Sequence, residues 1–135
     1  MKGQKDQASE NKYVLAVDDD PDIVTLIEQT LRKYGFKASA FTNPPMALEH
    51  FTKNHNNCSL ILSDIRMPGM NGYEFVTQVK KVNPQVKIIL MSAFEIQDKE
   101  FHNILPDIKV DAFLRKPFHI HQLNEVIEKI NIKSD

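Results

Sequence analysis

Short apolar runs alternate along this chain with longer stretches in which apolar residues recur every three or four positions, and from Tyr13 onward the alternation repeats through five units. The short runs read as strands and the 3.6-residue spacing as amphipathic helix. The predicted strands are residues 13–17, 37–41, 59–63, 87–91 and 111–115. The first, third and fourth are apolar nearly throughout, as central strands of a parallel sheet should be when both faces are covered. Strands alternating with helices in this way specify an α/β fold, a five-stranded parallel sheet with helices on both faces.

The predicted helices carry their own punctuation. Asp20 can cap the first, with Pro21 at its opening position; Ile23, Ile27, Leu31 and Tyr34 keep one apolar face, and Gly35 closes it. Asn43 and Pro44 open the second, which turns Ala47, Leu48 and Phe51 inward. The third spans residues 72–82, with Phe75, Val76 and Val79 inward and Pro84 after it. A fourth, over residues 95–105, carries Ile96, Phe101, Ile104 and Leu105 and stops at Pro106. The fifth, residues 119–130, buries Ile120, Leu123, Ile127 and Ile130. No repeat or linker interrupts the series. Residues 13–132 are expected to form one domain between a flexible polar tail, 1–12, and a short tail, 133–135.

Composition narrows the functional classes. With 135 residues, 41% of them hydrophobic, the chain is long enough for one core and too short for two. Its net charge of -1 and scattered Lys and Arg form no basic stripe, which argues against direct nucleic-acid binding. The single cysteine, Cys58, can form no internal disulfide and sits beside Leu60, Ile61 and Leu62, as a small core residue in a reducing compartment would. No apolar run approaches the roughly 20 residues of a membrane span, and the polar tail lacks a signal-peptide core. A cytoplasmic location is expected.

Candidate chemistry gathers behind the strands. Asp18, Asp19 and Asp20 follow the first strand directly, and like charges so close repel unless a cation lies between them. Acids delivered by a strand to the end of a sheet are a common way to hold a hard cation with oxygen ligands. Asp18, Asp20 and Asp22 mimic the start of a calcium-binding loop, but Ile23 stands where glycine is required and Gln29 where glutamate is, so that reading fails. Ligands of open parallel sheets collect at the carboxyl ends of the strands. There the third strand supplies Asp64, the fourth Ser92 and the fifth Lys116, followed by Pro117. Acids alone would make a metal site; acids with a lysine and a hydroxyl suit a phosphoryl group held beside a divalent ion. Asp20 reads as a helix cap rather than a ligand. His119 and His121, two apart at a helix start, do not fall on one helical face and are expected to be solvated rather than metal-binding.

Four ordered segments, Val17-Asp18-Asp19-Asp20, the stretch from Ser63-Asp64-Ile65-Arg66-Met67-Pro68 to Asn71-Gly72, Met91-Ser92-Ala93 and Arg115-Lys116-Pro117-Phe118, resemble the receiver domain of two-component response regulators. The likeness is to single-domain, chemotaxis-type members and covers nearly the whole chain. It implies a flavodoxin-like sheet of order 2-1-3-4-5. It implies that Asp64 is the phosphoacceptor, a carboxylate nucleophile taking its phosphoryl group from a phosphohistidine on a sensor histidine kinase or a histidine phosphotransfer protein. Mg2+ would be ligated by Asp19, Asp64 and the backbone carbonyl of Arg66, with Asp18 acting through a water. Lys116 would bridge the acids and then hold a phosphate oxygen, aimed by a cis peptide at Pro117. Ser92 would be the switch hydroxyl and Phe113 the switch ring. The family is a switch rather than a turnover enzyme, with self-catalysed phosphotransfer and autodephosphorylation. Its output is read by a partner protein on the face of the fourth helix, fifth strand and fifth helix; the chain itself is expected to be a monomer or weak homodimer, with no direct role for nucleic acid or membrane.

The chain departs from that pattern in places. Phe113 replaces a frequent tyrosine, residues 93–116 form a longer stretch than expected, and Pro106-Asp107-Ile108-Lys109 occupies the neighbourhood where a glycine often precedes the fifth strand. Arg66 and Phe94 flank the path of an attacking water, and their bulk and charge predict slow hydrolysis of the phosphoryl group. Two rival readings start from the same residues. Asp18-x-Asp20 behind an apolar strand also opens haloacid-dehalogenase-type phosphatases, with Asp18 as nucleophile, but Pro21 and Asp22 follow where that motif needs other residues and no later acidic pair appears. The other rival is a receiver belonging to a larger regulator or hybrid kinase; Met1 and the charged ending at Lys133-Ser134-Asp135 favour a complete protein.

Overall fold

The computed structural model describes residues 12–93 and 109–130. Five strands, β1 (Tyr13–Val17), β2 (Ala38–Phe41), β3 (Cys58–Asp64), β4 (Lys87–Ser92) and β5 (Ala112–Arg115), pair in parallel in the order β2-β1-β3-β4-β5. Among the described residues four helices accompany them: α1 (Pro21–Lys33), α2 (Pro44–Asn54), α3 (Gly72–Val82) and α4 (Ile120–Lys129), the last being the fifth of the predicted set. A single 3-10 turn, His55–Asn57, joins α2 to β3.

Period-two alternation divides the sheet between two cores. Leu15, Val17, Ile61, Ile88 and Leu90 meet Ala47 and Phe51 of α2 and Phe75, Val76 and Val79 of α3. Val14, Ala16, Leu60, Leu62, Ile89 and Met91 meet Ile27 and Leu31 of α1 and Leu123 and Ile127 of α4. Both faces of β1, β3 and β4 are therefore dry, which is why their sequences are apolar runs without alternation. β2, at an edge, is only half-buried.

The predicted caps form. Asp20 accepts from the Asp22 N–H at 2.9 Å and Asn43 from Met46 at 2.9 Å; Asn71, which the sequence reading did not name, caps α3 by accepting from Glu74 at 2.9 Å. Gly35 takes φ 90° after α1; its N–H donates to the Arg32 carbonyl (3.1 Å) and the Phe36 N–H to the Leu31 carbonyl (2.9 Å), a Schellman closure that a side chain at Gly35 would strain.

Several expectations need correction. Lys37 precedes β2, whereas β3 starts one residue early at Cys58 and carries Asp64, and β4 carries Ser92. Asp111 stands one residue before β5, its N–H donating to the Ile88 carbonyl at 2.9 Å and its carboxylate accepting from the Ile88 N–H at 2.8 Å. The buried face of α1 is Val24, Ile27, Thr30 and Leu31, with Ile23 and Tyr34 at its border. Thr30 is accepted there because its hydroxyl donates to the Leu26 carbonyl at 2.7 Å. Ile120, at the first turn of α4, is 38% exposed instead of buried. The predicted helix over residues 95–105 lies outside the described residues.

Candidate functional site

Parallel strands share a direction, so whatever follows their carboxyl ends arrives at one rim. Val17 pairs with Ser63, Asp64 with Met91 and Ser92 with Arg115. Backbone bonds carry the pairing one step past the strands: Asp18 N–H to Phe41 carbonyl (3.1 Å), Ile65 N–H to Met91 carbonyl (3.0 Å) and Lys116 N–H to Ser92 carbonyl (2.8 Å). Asp18, Asp64, Ser92 and Lys116 thus come from separate segments onto one edge.

Asp18, Asp19 and Asp64 each present a carboxylate oxygen, all within 4.8 Å of one another. Asp18 is fully buried, Asp64 is 7% exposed and Asp19 faces solvent. The Lys116 ammonium donates to Asp18 Oδ2 in a short bond and stands 3.5 Å from Asp64 Oδ1. Asp18 Oδ1 accepts from the Asp20 N–H at 3.0 Å, and Asp64 Oδ1 from the Ile65 N–H at 3.0 Å. Three carboxylates face one ammonium. Burial first, and then the neighbouring Asp18, push the Asp64 carboxyl up to about 6, while Lys116 and the Ile65 N–H oppose the rise. Such a pocket is short of positive charge. Its donors are all hard oxygens, and exposed Asp19 leaves room for water, which suits a divalent cation of the magnesium type.

The other expected residues take these positions. Ser92, 8% exposed, ends β4 beside the acids. Phe113 is 40% exposed on β5, paired with Leu90. The Lys116–Pro117 peptide is cis. Arg66 is exposed on the loop after β3; Phe94 lies outside the described residues, as does the predicted fourth helix of the output face. Asp20 caps α1 and is not part of the carboxylate cluster. Cys58 is buried, its thiol pushed up to about 12 by that burial, so it is an inert core residue. His119 and His121 correct an expectation: their rings stack, centroids 5.5 Å apart and 5° from parallel. His119 is the extended N-cap of α4 rather than a helical residue, so helical spacing does not govern its ring.

Two residues of the quoted motif were given no role at the site in the sequence reading. Gly72 opens α3 directly against the end of β3: its N–H donates to the Ile65 carbonyl at 2.8 Å, and a Cβ there would lie 2.3 Å from the Asp64 carbonyl oxygen. A glycine after the cap Asn71, where a helix start has no need of one, was the available signal. Ser63 is fully buried and donates to the Asp64 carbonyl at 2.9 Å. A lone serine before the acid carried no signal.

A doubly wound parallel sheet whose order reverses between β1 and β3, with buried acids at that reversal, belongs to the class that places its chemistry at a topological switch point. The chain is a member of the response regulator receiver domain family, whose model matches residues 14–128. It is 33% identical over 122 residues to the response regulator receiver protein CpdR of Brucella abortus, covering 90% of this chain and 98% of that one. It is 27% identical over 119 residues to the sporulation initiation phosphotransferase F of Bacillus subtilis, covering 88% and 93%. The crystal structure of the chemotaxis protein CheY4 of Vibrio cholerae superposes with a TM-score of 0.79 at 26% identity, covering 88% of this chain and 98% of that one. Among the described residues no helix is long and apolar enough to cross a membrane.

Proposed function

We propose that Asp64 is the phosphoacceptor of this receiver and that its phosphorylation requires Mg2+. The observation that carries the reading is the buried Asp64 carboxylate beside Lys116, with Asp18 and Asp19 close by. Asp64 attacks phosphorus in line; the bond from phosphorus to the phosphohistidine nitrogen breaks and the electron pair leaves with the imidazole. Lys116 holds a phosphoryl oxygen, and the Ser92 hydroxyl donates to another once the group is in place. Asp19, Asp64 and the Arg66 carbonyl would hold the ion, and Asp18 would contribute through water. When bound, Mg2+ neutralises the phosphoryl oxygens that three carboxylates would otherwise repel. Ser92 and Phe113 then bias an output face that includes β5 and α4 towards a partner protein. The donor is a histidine kinase or histidine phosphotransfer protein, the site of action is the cytoplasm, and hydrolysis of the acyl phosphate is self-catalysed.

Asp18 makes a poor rival nucleophile. It is fully buried with Oδ2 on Lys116 and Oδ1 on the Asp20 N–H. The deciding experiment is incubation with acetyl phosphate and Mg2+, followed by intact-mass measurement, for the wild type and Asp64→Asn. One added phosphoryl group, labile to hydroxylamine, dependent on Mg2+ and lost in Asp64→Asn, is expected. Phosphorylation that ignores Mg2+ or survives the substitution would overturn the proposal.

A further inference from the structure

The peptide unit joining Asp64 to Ile65 is engaged at both ends by groups that converge on the acceptor. Its carbonyl oxygen accepts the Ser63 hydroxyl at 2.9 Å. Its N–H donates to Asp64 Oδ1 at 3.0 Å and to the Met91 carbonyl at 3.0 Å. Because the amide is conjugated, a bond accepted at its oxygen draws electron density from nitrogen and makes the N–H a stronger donor. Ser63 is fully buried, so its hydroxyl is shielded from solvent while it makes this bond. Gly72 packs against the same oxygen so closely that a methyl would sit 2.3 Å away, which keeps the peptide from tilting.

We infer that Ser63 is a positioning residue: acting through the Asp64–Ile65 peptide, its hydroxyl pins Asp64 Oδ1 and presents Oδ2 to phosphorus. The inference rests on Asp64 being the phosphoacceptor. Oδ1 is held by the Ile65 N–H and lies 3.5 Å from Lys116, leaving Oδ2 free to turn outward. With acetyl phosphate as donor, Oδ2 forms the new bond to phosphorus as the bond from phosphorus to the acetate oxygen breaks, and acetate departs with the electron pair. Ser63 donates and transfers no proton.

The test uses the full chain with acetyl phosphate and Mg2+. Loss of one buried hydrogen bond predicts that Ser63→Ala slows phosphorylation about five-fold. Ser63→Thr, which restores a hydroxyl, should recover the rate. In the same Ser63→Ala protein the Ile65 amide proton should move upfield in the NMR spectrum, a change that simple loosening of the core would not confine to that resonance. Phosphorylation at the wild-type rate would overturn the inference, and so would a slower rate with the Ile65 amide unmoved. Phosphorylation surviving Asp64→Asn would remove the acceptor reading itself; that outcome is distinguishable because it leaves the Ile65 shift intact.

Discussion

Buried acids meet lysines at both ends of this sheet, and the two clusters behave in opposite ways. At the amino end Asp111 has a side chain only 8% exposed, accepts the Ile88 N–H at 2.8 Å, and has Lys87 and Lys109 at 3.9 and 4.0 Å. Lys80 stands nearby with its ammonium donating to the Pro84 and Val86 carbonyls at 3.2 and 2.7 Å; burial lowers its pKa, against the pull of Asp111. One acid there has cations in excess and nothing left to bind. At the carboxyl end Asp18 and Asp64 share Lys116, and Asp19 brings a third carboxylate close by. The residue types are the same, and the sign of the imbalance makes one end a clamp for the chain and the other a site that needs a cation.

The comparison breaks most visibly at its lysines. Replacing Lys116 with Met strands the fully buried Asp18 and should cost about 3 kcal/mol at neutral pH, read by urea unfolding. Gly72→Ala comes next: the new methyl meets backbone, which cannot step aside, and a loss of about 2–3 kcal/mol is expected in the same assay. Asp64→Asn should do the reverse. The folded-state pKa of Asp64 is about 6, above its ordinary value of 3.8, so the fold prefers the protonated form and its ionisation weakens the fold. That penalty is absent below the ordinary value, grows as pH rises through the folded value and is complete above it. Asp64→Asn should therefore be the more stable protein at pH 7, on the order of 2 kcal/mol, with the gap closing towards pH 4 and shrinking when Mg2+ is added to the wild type. The smallest effect belongs to the other end of the sheet. Lys87→Gln or Lys109→Gln removes a partner that is 42% or 77% exposed, and each should cost less than about 1 kcal/mol. A larger loss at either position would dissolve the contrast.

Most of the fold was legible because its signals are local. The apolar runs of β1, β3 and β4 reflect burial on both faces, and Asp20, Asn43 and Gly35 act through bonds to residues a few positions away. Errors fell where a long-range contact outweighs local pattern. Asp111, one residue before β5, turns its carboxylate onto an N–H 23 residues away, and Val24 and Thr30 displaced Ile23 because the sheet, not the helix, decides how far α1 rolls. The His119 and His121 rings met because one of them is a cap.

The site divides along the same line. Sequence by itself determined the fold class, the strands and caps, and which acids, lysine and hydroxyl end which strands, because parallel strands carry their carboxyl ends to one rim whatever the details of packing. Only the tertiary structure decided that Lys116 reaches Asp18 more closely than Asp64, that Ser63 and Gly72 hold the Asp64 peptide, and that Asp64 sits dry enough to keep its proton up to about 6. Those properties depend on distance and exclusion of water between segments far apart in the chain, and no local pattern encodes them.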